Sequence, residues 1–160
     1  MRYHRLSKSD LEEMRDEFVT FLAAQSIRAG DWEKMKAEDP EKVEELLDQF
    51  SDVVIHRALE NISALKLISD DEMFVFLFEE NEAKVVQLKV DAQVGYPLSD
   101  PETIQKLAKG TLSLSDLKPV FEKGKKTLSG NREMEMYRLM RQGAEPCTAK
   151  FYEDFKRLCE

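Results

Sequence analysis

The chain has 160 residues, 42% of them hydrophobic and 35% charged, with 6 Gly, 5 Pro and 2 Cys. That length suits a domain with a core of its own, and so little Gly, Pro and Cys excludes collagen-like, low-complexity and disulfide-dense classes. The formal charge is −8, and residues 1–99, where 12 Lys and Arg face 22 Asp and Glu, carry −10 of charge against +2 in the rest, an excess that disfavours nucleic acid and anionic membranes as partners.

Ser9-Asp-Leu-Glu12 has the form of a capping box, in which the serine and glutamate side chains each satisfy a free backbone N–H. Behind it Leu11, Met14, Phe18, Phe21 and Leu22 recur at helical spacing, predicting a first helix over roughly residues 9–26. Phe18–Ala24 is apolar, but Glu12, Glu13, Asp16 and Glu17 precede it, where a signal peptide carries cations. No apolar run reaches the roughly 18–20 residues of a membrane span. A short piece over 31–36 offers Trp32 and Met35 as inward anchors. Asp39-Pro40 then restarts the chain as N-cap and first helical residue. From Val43 through Leu46, Phe50, Val54 and Leu59 to Ile62 an apolar stripe marks one long amphipathic helix, with Glu41, Glu44, Glu45, Asp48 and Asp52 opposite.

The side-chain period next switches from helical to two. Ala64–Ser69, Met73–Glu79 and Ala83–Asp91 read as three strands, and the polar turns at 70–72 and 80–82 make them an antiparallel meander. Phe74, Phe76 and Phe78 share one face of the middle strand while Val75 and Leu77 share the other, so both faces need cover. After Gly95-Tyr-Pro97, start signals predict helices from Asp100 to Lys109, Ser115 to Leu128, Asn131 to Gln142 and Thr148 to Cys159. The fold class is α+β: N-terminal helices, a three-stranded meander, then C-terminal helices. It is read as a single domain over 1–160, with a sub-division at 1–95 and 96–160.

Chemistry-bearing residues are sparse. His56 has Asp52 and Glu60 four residues to either side, and a His with two carboxylates is a set that holds a divalent cation with open positions. The competing reading is a solvated helix face with i,i+4 pairs, since each four-residue step rotates about 40° and smears the stripe. His4 lies in Arg2-Tyr3-His4-Arg5, suited either to gripping an anion or to resting against the acidic first helices. Gly124-Lys-Lys-Thr127 lacks the first P-loop glycine, Pro119 standing in its place, and the acidic turns lack the order of a calcium loop. Nucleophilic catalysis needs a base beside Ser or Cys, and two histidines leave few ways to build one, so no catalytic residue and no cofactor is assigned. Cys147 and Cys159 read as reduced thiols of a cytoplasmic protein. Met134, Met136 and Met140 cluster with Tyr137 and Leu139 on one short helix, as core or as an adaptable partner surface.

Met-Arg-Tyr-His-Arg-Leu at 1–6, Glu-Phe-Val-Thr-Phe-Leu at 17–22, Asp-Trp-Glu-Lys at 31–34, Asp-Pro-Glu-Lys at 39–42 and Phe-Ser-Asp at 50–52 stand in order. Together they resemble an uncharacterised family of small bacterial proteins of the Bacteroidetes type, a domain of unknown function. The likeness covers about the first 90 residues and implies a bacterial cytoplasmic protein, with no catalytic or binding residue carried over. The expectation from the residues themselves is a non-enzymatic interaction domain, with a protein partner or a homodimer. Its interface candidates are Phe74, Phe76, Phe78, Met136 and Met140, and the alternative is a metal-binding protein or metal-assisted enzyme using His56 with Asp52 and Glu60.

Overall fold

The computed structural model describes residues 1–160 and divides into two compact units, Met1–Ala58 and Leu59–Glu160. In the first, α1 (Lys8–Glu13), α2 (Arg15–Ala24), α3 (Ala29–Glu38) and most of α4 (Pro40–Glu60) follow one another. The single helix expected over 9–26 is thus two. Ser7 rather than Ser9 accepts the capping bond, from the Asp10 amide, and the chain leaves helical geometry at Met14 (φ −99°, ψ 26°). Asp39 and Pro40 start α4 as expected, the Asp39 carboxylate accepting the Lys42 amide at 3.2 Å. Val43, Leu46 and Phe50 are buried along its inner side, and Glu41, Glu44 and Glu45 stay exposed. Phe18 meets Phe50 at 5.0 Å and Trp32 at 5.1 Å, both edge-on. Edge-on rings set a positive rim against a negative face, adding about 0.5–1.5 kcal/mol per pair to their burial.

The second unit is built on five strands: β1 (Ala64–Ile68), β2 (Glu72–Phe78), β3 (Glu82–Lys89), β4 (Val120–Thr127) and β5 (Glu145–Cys147). They lie in the order β4-β3-β2-β1-β5, every neighbouring pair antiparallel. The sheet therefore has five strands rather than the three expected, the meander being extended on both sides. The helix expected over 115–128 does not form. A short 3-10 turn at Leu114–Leu117 ends at Lys118 (φ 51°), and Pro119 leads directly into β4. Proline removes a backbone donor and Gly124 costs about 1 kcal/mol in a helix interior, whereas the ladder to β3 pairs every position of the segment.

Helices α5 (Pro101–Lys109), α6 (Arg132–Arg141) and α7 (Ala149–Leu158) occupy the segments foreseen, capped by the side chains of Asp100, Asn131 and Thr148. Met73, Val75 and Leu77 lie on the sheet face covered by Tyr152 and Phe155 of α7 and by the chain around Leu98–Leu117. The segment with α6 joins β4 to β5 at opposite edges of the sheet, and α7 holds the face of Met73 and Val75. Glu135 of α6 reaches Lys126 at 3.5 Å on the other face, since Lys126 opposes Ala83 and Ala83 opposes Phe78. β4 and β5 complete the sheet that β1–β3 begin, all within this unit.

Candidate functional site

Asp52, His56 and Glu60 lie along α4, and the first two hold the start of the chain. The Asp52 carboxylate accepts the amides of Arg2 at 2.7 Å and Tyr3 at 2.9 Å, and His56 Nδ1 is hydrogen-bonded to the Tyr3 hydroxyl at 2.8 Å. The Arg5 guanidinium spans Asp48 at 2.6 Å and Glu44 at 2.9 Å, and the Asp48 hydrogen bond first of all raises its pKa. Leu6 donates its amide to Ser51 Oγ. The basic and aromatic cluster therefore rests on an acidic helix, though that helix is α4 and not the first helices of the expectation. Glu60 is exposed at the last position of α4, and no three His, Cys, Asp or Glu side chains converge to hold a metal ion. What this arrangement does is fasten a strap.

Among the interface candidates Met136 is 0% and Phe78 6% exposed, while Phe74, Phe76 and Met140 are half-buried. The three phenylalanine rings follow one another at 6.1 Å. The buried carboxylate of Glu135 beside Met136 takes Lys126 and, at 3.0 Å, Arg138. Cys147 and Cys159 are free and half-buried. Burial pushes both thiols up, Cys159 to about 11 against the pull of Lys123, so both are protonated near neutral pH and poor nucleophiles.

The feature of the sheet left open is an edge. Leu128 donates its amide to the Asn81 carbonyl, so Leu128 and Asn81 form a hydrogen-bonded pair of the β3–β4 ladder. Bonded and non-bonded pairs alternate along an antiparallel ladder. Lys126, Gly124 and Glu122 therefore bond inward to β3, and the amides of Phe121, Lys123, Lys125 and Thr127 point away from the sheet. No other backbone hydrogen bond involves residues 120–127, and every residue of β4 but Phe121 is exposed. Lys125 reaches Glu82 only at 3.9 Å, and Lys123 holds Glu160 at 2.8 Å. The opposite edge is blunted: β5 has 3 residues with Pro146 at its centre. Sequence reasoning placed β4 inside a helix. The signals for the strand were the entering Pro119-Val120-Phe121 and the central Gly124.

No curated protein and no solved structure matches the chain. A family model spans all of it, well beyond the N-terminal 90 residues that carry the resemblance in sequence. The chain belongs to a family of unknown function, DUF6495, matched over residues 1–160.

Proposed function

We propose that this chain is a protein-interaction module whose β4 edge accepts an extended, acidic segment of a partner protein by strand addition. What carries the reading is that open edge, 8 residues long, with Lys123, Lys125 and Lys126 set against the one acid Glu122. Backbone hydrogen bonds supply attachment in this mode, and the side chains along the added strand supply selection. Glutamates at alternate positions meet the lysines on one face and leave apolar residues for the other.

A second copy of the chain is the poorer occupant. Antiparallel pairing of two β4 strands about Gly124 sets Lys123 of one copy against Lys125 of the other, and like charges directly opposed are destabilising. Edge lysines are a common device against sheet-to-sheet addition. The device excludes basic and like-charged strands, and it leaves the edge open to acidic ones.

The test is an amide-resolved NMR titration of the whole chain with a synthetic peptide alternating valine and glutamate. The expected result is a saturable shift centred on the Phe121, Lys123, Lys125 and Thr127 amides, weakened about tenfold, or about 1.4 kcal/mol, by Lys125→Glu. The matching valine–lysine peptide is expected to leave these amides unmoved. Equal binding of the two peptides, shifts centred away from β4, or a dimer in solution held through β4 would overturn the proposal.

A further inference from the structure

At the other side of the second unit, between β1, β5 and the start of α5, lies a cleft of about 540 Å³. That is within the range of small-molecule sites, which pair an apolar wall with a few convergent polar groups. Its floor is strand: Lys66 and Ile68 on β1, with Glu145 on β5 directly opposite Lys66 in the register. Its wall comes from Leu98, Pro101 and Ile104. Two features set it apart from an ordinary surface depression. Neither Lys66 nor Glu145 makes an ion pair, although they are neighbours across two strands; the Lys66 ammonium instead lies 5.3 Å over the Phe151 ring. Ile104 is 44% exposed at the rim, an apolar side chain turned out of the core beside these charges.

A cation and an anion that make no ion pair, side by side above an apolar wall, match a small molecule that carries both charges and an aliphatic tail. We infer that this cleft binds a free aliphatic α-amino acid. Its carboxylate meets Lys66, its ammonium meets Glu145, and its side chain lies on Ile68, Leu98 and Ile104. The α-carbon carries both ionic groups, so they sit side by side as Lys66 and Glu145 do across the two strands. Each strand contributes one charge and α5 adds Ile104 to the apolar wall, so the site exists only when β5 has closed on β1. This inference does not depend on β4, which forms the opposite edge of the sheet.

The experiment is an NMR titration of the whole chain with L-leucine, and in parallel with isocaproate, which lacks the ammonium, and isopentylamine, which lacks the carboxylate. L-leucine is expected to shift resonances of Lys66, Ile104 and Glu145 and to bind about tenfold or more tightly than either analogue. Glu145→Gln should bring L-leucine down to the level of isocaproate while leaving isocaproate binding unchanged. Lys66→Met should do the converse with isopentylamine. Ile104→Asp, on the exposed rim, tests the apolar wall without touching the core, and should abolish binding of all three while thermal unfolding stays unchanged. No shift at the cleft with L-leucine, affinities that do not distinguish leucine from its analogues, or full binding in Glu145→Gln would each overturn the inference. Lys125→Glu should leave leucine binding intact, which separates this test from that of the β4 edge.

Discussion

Asp52 illustrates how one carboxylate on a helix face orders a segment remote in sequence. It accepts two consecutive backbone amides, those of Arg2 and Tyr3, while Tyr3 reaches down the same helix to His56 one turn on. Hydrogen bonds to a charged acceptor contribute about 1.5–3 kcal/mol where buried and less where water competes. Asp52 is half-buried, so Asp52→Ala is expected to cost about 1.5 kcal/mol in urea unfolding. It should also speed tryptic cleavage after Arg2 and Arg5, because the strap must lift to enter a protease. Tyr3→Phe removes the hydroxyl alone and should cost about 0.5–1.5 kcal/mol with little change in cleavage. Cleavage at the wild-type rate in Asp52→Ala would mean that Arg5 and Leu6 hold the strap by themselves. The spacing of Asp52, His56 and Glu60 placed them on one helix correctly. The work of Asp52 and His56 was not legible, because the groups they hold lie about fifty residues earlier and no local pattern joins the two segments.

Whole elements were legible wherever local chemistry and tertiary packing agree. α5 is the clearest case, with Asp100 accepting the Glu102 amide at its start, Pro101 in the first turn, and Gly110 at φ 77° closing it. Asp100→Ala is expected to cost about 1 kcal/mol through the lost cap, and Gly110→Ala about 1 kcal/mol through the left-handed backbone. Chemical unfolding measures both, and the two should add, since they act at opposite ends of one helix. Wild-type stability in both variants would show that tertiary contacts alone position α5. β4 is the contrary case. Its lysines and glutamate fit an exposed helix face as well as an edge strand, and what decides between them is a partner, β3, some forty residues away in sequence. β5 is shorter still, three residues with a proline, and only the neighbouring β1 makes it a strand. The cleft at Lys66 and Glu145 was hidden for the same reason, since its charges come from the two strands that this late pairing joins.

At the scale of the whole molecule, acid and alkali should destabilise the protein by different mechanisms, and salt tells them apart. On the acid side, Glu79, Asp154 and Glu160 have carboxyl pKa values lowered first by hydrogen bonds from Lys84, Lys150 and Lys123. A depressed carboxylate contributes stability above its ordinary pKa, 4.5 for Glu and 3.8 for Asp, and that contribution is lost as the pH falls below these values. All three pairs are in solvent, where salt screens them. On the alkaline side, burial raises the pKa of Cys147, Cys159 and Tyr152, that of Cys159 from 9.0 to about 11. Their contribution is complete below the ordinary value and is lost as the pH climbs through the raised one, because the unfolded chain ionises first. Stability measured by urea midpoints should therefore form a plateau through neutral pH with a fall on either side. About 0.5 M NaCl should flatten the acid limb, since the Debye length is then only about 4 Å. The alkaline limb should persist in salt, and Cys159→Ser should shrink it. An acid limb indifferent to salt would place the responsible carboxylates in the interior instead of in these surface pairs, and an alkaline limb unchanged in Cys159→Ser would assign that loss to Tyr152 and Cys147.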